Sequence, residues 1–124
     1  MKNKNEGERW IKQGERDIKA AKELLNSELF ELACFHSQQA AEKILKGLLY
    51  WKGYRGIITH SVRELFNAVK DEFEDIAPLD KACIELDKQY IGSRYPDAFP
   101  SGSPYMYYTK DDKFTSFIYF KGKL

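Results

Sequence analysis

The chain has few of the features that would indicate a metal cluster, a membrane protein or a strongly basic surface for binding nucleic acid. Only two of its 124 residues are cysteine, four are proline, and the 20 basic side chains nearly balance the 19 acidic ones. Two cysteines without a CxxC spacing do not make a zinc site. Both lie on predicted apolar helix faces, so we expect Cys34 and Cys83 to be buried free thiols in a reducing cytosol. Balanced charge leaves only a local basic strip as a means of attracting nucleic acid.

No apolar run is long enough to cross a bilayer, and the first ten residues contain no apolar segment of the kind that a signal peptide requires. We therefore expect a cytoplasmic protein without a membrane partner. Hydrophobic residues make up 43% of the chain and charged residues 31%, which is typical of a globular protein. The length predicts a single domain, residues 1–124, with a core of its own.

Apolar residues recur with the period of an α-helix in four segments. The first two predicted helices cover residues 5–26 and 29–52, the third begins after Ser61, and Pro78 opens the fourth. Asn5 with Glu8, and Ser61 with Glu64, have the spacing of a capping box at a helix start. The side chains predicted to face the core in the first two helices are Trp10, Ile11, Gly14, Ile18, Ala21, Leu25, Phe30, Ala33, Cys34, Ser37, Ala41, Ile44, Leu48 and Trp51.

Residues 92–109 cannot form a regular helix, because they hold three of the four prolines, two glycines and four tyrosines. A long ordered loop in a small domain is disproportionately functional. A short, aromatic last helix is predicted for residues 110–120. Since helices joined by short connections pack as antiparallel neighbours, the predicted fold class is all-α. The architecture is an up-and-down four-helix bundle with a long Pro/Tyr-rich loop and a short fifth helix.

Three places in this fold carry side chains that could do chemistry. On the second helix, His36, Gln39, Lys43 and Lys46 fall on one polar ridge beside the apolar face, where they could meet a phosphate or a base edge. The alternative is a solvated helix face with a half-buried bond between His36 and Gln39. His60, before the third helix, is either a candidate acid or base or a loop residue that helps start the helix.

Arg94 lies in the long loop beside Tyr95, Pro96 and Asp97. An arginine next to tyrosines suits a phosphate or a base, by bidentate hydrogen bonds and stacking. The alternative is an internal salt bridge that fixes the loop to the bundle. The sequence contains no Ser-His-Asp set, Walker loop, dinucleotide fingerprint or metal cluster, so no cofactor and no metal are expected.

Five strings, taken together and in this order, resemble the HEPN family (higher eukaryotes and prokaryotes nucleotide-binding domain). They are ERDIKAAKELL, ACFHSQQAAEKILKGLL, THSVRELF, YIGSRYPD and PYMYYTKDD. The resemblance implies a helical bundle, often a homodimer, whose members are frequently encoded beside a minimal nucleotidyltransferase in a two-component, toxin–antitoxin-like system. In that branch, with its RYPD motif, the bundle is a nucleotide- or substrate-binding subunit. The residues assigned to binding are then Arg94, Tyr95, Asp97, His36, Gln39, Lys43 and Tyr105.

Other branches of the family are metal-independent ribonucleases with an arginine, four to six residues and a histidine. No histidine follows Arg94 here, which departs from that motif, whereas Arg55 and His60 have the spacing but precede the third helix. Two alternatives to a binding subunit therefore stay open. One is an endoribonuclease toxin with His60 as acid or base and Arg55 or Arg94 at the transition state. The other is a structural, dimeric interaction domain.

Overall fold

The computed structural model describes residues 3–70, 80–92 and 100–107. Four α-helices, α1 (Lys4–Asn26), α2 (Phe30–Trp51), α3 (Val62–Val69) and α4 (Asp80–Gly92), are followed by the 3-10 turn Pro104–Tyr107. No β-strand occurs within these described ranges. The predicted all-α fold class is confirmed.

Helices α1 and α2 form an antiparallel pair whose backbones nearly touch. A Cβ atom built on Gly47 would lie 2.8 Å from the carbonyl oxygen of Gly7, and one built on Gly14 would lie 3.2 Å from that of Ala40. Distances under about 3.4 Å are tighter than ordinary packing allows, so glycine is required where the helices approach this closely. The N-terminal end of α1 therefore packs against the C-terminal end of α2, as the short connection predicts.

That connection is tight because residues 27–29 are all that separate the two helices. Its central residue, Glu28, has a φ of 61°, in the left-handed region that side chains rarely adopt. The amide of Leu29 donates to the carbonyl of Leu24, which satisfies one of the last acceptors of α1. The gap between the first two predicted helices is therefore a turn at residues 27 and 28.

The cap of α1 differs from the prediction. The helix begins at Lys4, and the side chain of Asn3, not Asn5, accepts a hydrogen bond from the backbone amide of Glu6. Asn3 with Glu6 and Asn5 with Glu8 have the same capping spacing in the sequence, so spacing alone could not choose between them. The helix starts one residue before the predicted range, and the backbone amide of Asn3 donates to the carbonyl oxygen of Tyr50 near the end of α2.

Helix α2 is the central element of the core, in contact with α1, α3 and α4. Its predicted apolar face is buried at Ala33, Cys34, Ser37, Ala41 and Ile44. Burial extends further around the helix than predicted. The additional buried side chains of α2 are Gln38, Ala40, Glu42, Leu45, Lys46 and Leu49.

Helix α3 is held at its start by its own cap and by α4. Ser61 accepts from the backbone amide of Glu64, which confirms the predicted cap. The carboxylate of Asp87 on α4 also accepts hydrogen bonds from the amides of Val62 and Arg63 and from the hydroxyl of Ser61. A carboxylate at this end of a helix is stabilised by the helix dipole, so Asp87 fixes α4 to α3.

Cys34 and Cys83 are both buried free thiols, as expected. Burial, followed by the charges of Asp80 and Asp87, raises the pKa of the Cys83 thiol to about 12. The predicted start of the fourth helix at Pro78 and the predicted helix at 110–120 lie outside the described residues. None of the described helices combines the length and the hydropathy of a membrane-spanning segment.

Candidate functional site

Asp17 joins two of the predicted ridge residues. Its carboxylate is almost buried on α1, and its Oδ2 atom lies 2.7 Å from Nζ of Lys43 on α2. Its Oδ1 atom lies 3.4 Å from Nδ1 of His36, also on α2. The His36 and Lys43 side chains remain 31% and 24% exposed. One buried carboxylate therefore fixes a histidine and a lysine at the surface where α1 and α2 meet, which we call the Asp17 cluster.

A second carboxylate, Glu42 on α2, organises a similar group, which we call the Glu42 cluster. Its Oε1 atom accepts from Nζ of Lys46 at 2.9 Å and lies 2.7 Å from Nδ1 of His60. Its Oε2 atom accepts from the Gln38 amide, whose oxygen in turn accepts from Gln39 at 2.6 Å. The polar ridge therefore divides between two clusters.

The burial of Lys46 corrects the prediction that it continues an accessible ridge. Its side chain is only 6% exposed and that of Glu42 only 7%, so the two form a buried ion pair one turn apart. The Nζ atom of Lys46 also lies 5.5 Å from the ring centroid of Trp10. Each charge needs the other, because burying an isolated charge in a low-dielectric site costs free energy.

His60 occupies the loop between α2 and α3, and its side chain is 59% exposed. The start of α3 is capped instead by Ser61 and Asp87. An ionised carboxylate can only accept hydrogen bonds, so the contact with Glu42 assigns the ring proton to Nδ1. A histidine oriented in this way by a carboxylate is suited to proton transfer.

Sequence reasoning missed Asp17 and Glu42, the two residues on which these clusters depend. Both gave a signal. Asp17 lies three residues after Gly14 and four before Ala21, inside the apolar stripe of α1. A charged residue at a core position requires a partner. Periodicity shows that such a partner must exist, but it does not show which helix supplies it.

The remaining candidate residues are spread over the loops. Arg55 is exposed in the loop after α2 and makes no hydrogen bond or ion pair to a described residue. Tyr105 is 62% exposed in the 3-10 turn. Arg94, Tyr95 and Asp97 lie outside the described residues. Among the residues that the structure does describe, no group of three or more His, Cys, Asp or Glu side chains could hold a metal ion.

The helices of the described residues place the protein in the all-α class. The model of the HEPN domain matches residues 7–116, which is most of the chain. The chain therefore belongs to the HEPN domain family, as its motifs indicated.

Solved structures agree in fold. The crystal structure of TT1696 from Thermus thermophilus is similar, with a TM-score of 0.80 and 32% identity, and covers 97% of this chain and 99% of that one. The crystal structure of ST0689, an archaeal HEPN homologue, has a TM-score of 0.71 and 41% identity, over 92% and 87% of the two chains. Among curated proteins, "Putative toxin MJ1304" of Methanocaldococcus jannaschii is 29% identical over 111 residues, which span 83% of this chain and 73% of that protein.

Proposed function

We propose that this chain is the HEPN component of a two-component, toxin–antitoxin-like system, in which it pairs with a minimal nucleotidyltransferase and binds a nucleotide or a nucleotide-bearing substrate. Similarity to a relative with a toxin name supports the first part. The nucleotidyltransferase partner and a homodimer follow from the family resemblance. The residues proposed to bind the nucleotide are Arg94, Tyr95, Asp97, His36, Gln39, Lys43 and Tyr105.

The observation that carries the binding role is the Asp17 cluster. His36 and Lys43 are held by one buried carboxylate and are still partly exposed. Donors fixed in advance lose little conformational entropy when a ligand binds. Asp17 also offsets one positive charge, so these two side chains would orient a ligand. The main attraction for its phosphate would come from Arg94, since guanidinium groups bind phosphate bidentately.

The test is calorimetric titration of ATP, alongside cleavage of single-stranded RNA in EDTA on the same sample. We expect saturable ATP binding that is lost in Arg94→Ala and weakened in His36→Ala. Arg63→Ala, which removes an exposed arginine elsewhere, is the matched control and should bind as the wild type does. Unchanged ATP binding in a folded Arg94→Ala protein would refute the proposed role of that residue.

Pairing needs a measurement of its own. We expect the chain to copurify with a nucleotidyltransferase encoded by a neighbouring gene. Copurification that survives both Arg94→Ala and His60→Ala, without any ATP binding, would instead identify a structural interaction domain.

A second function is favoured by one specific contact, the 2.7 Å approach of His60 to Glu42. This arrangement would suit a metal-independent endoribonuclease. His60 would transfer a proton at the ribose 2′-hydroxyl or the leaving oxygen, and Arg55 or Arg94 would stabilise the charge on phosphorus. The product would carry a 2′,3′-cyclic phosphate. Cleavage in EDTA that disappears in His60→Ala would establish this function, and intact RNA at high protein concentration would refute it.

A further inference from the structure

A groove along the outside of α1 is lined mainly by positively charged side chains. Its volume is about 800 Å³. The residues of this α1 groove that matter here are Glu6, Arg9, Trp10, Lys12, Arg16 and Lys43. Four of them are cationic and one is anionic, although the whole chain is nearly balanced at 20 to 19. A concave surface lined by one sign of charge concentrates ligands of the opposite sign.

The cations of this groove are only partly neutralised by the protein. Lys12 and Arg16 are exposed and have no hydrogen bond or ion pair to any described residue. Arg9 pairs with Glu6 at 3.1 Å, but its side chain is 79% exposed. An ion pair in such a position contributes little and is readily exchanged for another anion. Lys43 is the member already held by Asp17.

The spacing of these charges indicates a ligand with several phosphates. Arg9, Lys12 and Arg16 stand at positions i, i+3 and i+7 and share one face of α1. With a rise of 1.5 Å per residue, the first and last are about 10 Å apart along the helix axis. Side chains spread over this length can each contact a different phosphate, and a nucleic-acid strand presents such charges at regular intervals along its backbone.

The ring of Trp10, the aromatic residue of the groove, already contacts other side chains of the protein. Tyr50 stacks on the Trp10 ring with centroids 5.7 Å apart, Nζ of Lys46 lies over the same ring, and the indole N–H donates to Glu6. Proteins that bind single strands tightly normally use exposed rings as platforms for bases. Since this ring already has partners, the groove contacts phosphates and does not read bases.

We propose that the α1 groove binds the phosphodiester backbone of a nucleic-acid strand, without regard to its sequence, as a site separate from the nucleotide site proposed on α2. Arg9, Lys12 and Arg16 supply the attraction, and Lys43 lies at the shared edge of the two sites. The strand is recognised by charge and spacing, so RNA and DNA of equal length bind alike.

The test is fluorescence anisotropy of a short labelled oligouridylate at low salt, with Arg16→Glu compared with Lys22→Glu. Both substitutions reverse one exposed charge of α1, but Lys22 is not part of the groove. We expect Arg16→Glu to weaken binding about tenfold and to lower the dependence on salt by about one phosphate contact. Lys22→Glu should stay within about twofold of the wild type, because it contributes only long-range charge.

Four results would overturn the proposal. Equal losses in both variants would mean diffuse attraction to the surface. Competition by polyglutamate as effective as that by unlabelled oligouridylate would assign the groove to an acidic protein. No saturable binding by the wild type would remove the site altogether. ATP titration of Arg16→Glu separates this site from the proposed function: unchanged ATP binding with lost oligouridylate binding supports two sites, and joint loss refutes them.

Discussion

Nζ of Lys43 lies 2.7 Å from Oδ2 of Asp17, which links the middle of α2 to the middle of α1 through a carboxylate that is almost buried. The same carboxylate also meets His36. Two helices that pack through glycine and small side chains are thus also joined by a charged contact. This contact lies beside the α1 groove, so its removal affects both stability and charge.

Replacement of Asp17 by Asn keeps the shape of the side chain and removes its charge. We expect the free energy of unfolding in urea to fall by about 1–2 kcal/mol, less than for a fully buried pair because Lys43 keeps some contact with water. Affinity for oligouridylate should rise, because Lys43 then acts with its full charge. Glu23→Gln, an exposed change on the same helix, should alter neither quantity. Weaker oligouridylate binding by Asp17→Asn would contradict the expectation.

A double-mutant cycle on Glu42 and Lys46 tests whether the second cluster holds a true buried ion pair. Lys46→Met leaves a buried carboxylate without its lysine and should cost about 3 kcal/mol, as measured by urea unfolding. The double variant Glu42→Gln with Lys46→Met should be more stable than Lys46→Met alone, since no buried charge is left unpaired. Simple addition of the two single effects would show that the residues are not coupled.

The contact between α1 and α2 predicts an unusual response to Gly47→Ala. Alanine normally stabilises a helix by about 1 kcal/mol relative to glycine. Here the added Cβ would lie 2.6 Å from Cγ1 of Ile11 and 2.8 Å from the carbonyl oxygen of Gly7. We expect a net loss of about 2 kcal/mol in thermal or urea unfolding. Gln13→Ala, exposed on α1, serves as the control and should shift stability by less than about 0.5 kcal/mol.

Asp87 on α4 should cap the start of α3, although it is distant from α3 in sequence. Asp87→Ala removes the acceptor for two backbone amides and a hydroxyl at the start of α3, and we expect a loss of about 1–2 kcal/mol. Amide hydrogen exchange should accelerate most at the start of α3. Glu85→Ala on the same helix removes only an exposed contact with Lys88, so exchange in α3 should be unaffected.

The Cys83 thiol makes stability depend on alkaline pH. Its pKa is raised from 9.0 to about 12 in the folded protein by burial and by the nearby carboxylates. Above pH 9 the unfolded chain loses this proton and the folded chain keeps it, so the stabilisation present below pH 9 is lost as pH rises towards 12. The fall approaches about 1 kcal/mol per pH unit. Urea unfolding on either side of pH 9 should show a smaller fall in Cys83→Ala, and equal falls would refute the assignment.

The fold was accessible from the sequence because its signals are local. The apolar period of the helices, the Ser61–Glu64 cap and the turn before Leu29 each depend on residues close together in the chain. The error at the start of α1 has the same origin, since Asn3 and Asn5 offer equivalent caps. The amide of Asn3 donates to the carbonyl oxygen of Tyr50, and capping spacing cannot reveal a contact so distant in sequence.

The candidate site was only partly accessible for a related reason. Helical spacing placed His36 and Lys43 on one side of α2, and the structure joins them through Asp17. Helical spacing could not show that Lys46 is buried, because a lysine beside an apolar face is normally exposed. The ion pair with Glu42 reverses that expectation. An ion pair leaves no periodic pattern in the sequence, so periodicity could not predict it.

The close approach of α1 and α2 also has a consequence for the order of folding. Only three residues separate the two helices, so joining them closes a very short loop and loses little chain entropy. Contacts between neighbours in sequence form fast, whereas α3 and α4 must be brought back onto α2 over longer stretches of chain. We therefore expect the hairpin of α1 and α2 to form first, with the half of α2 that carries Glu42 and Lys46 waiting for His60 to complete its polar contacts. The Asp17 cluster lies within this hairpin and should assemble with it. The contact between His60 and Glu42 joins the loop after α2 to the hairpin, so we expect it to form later.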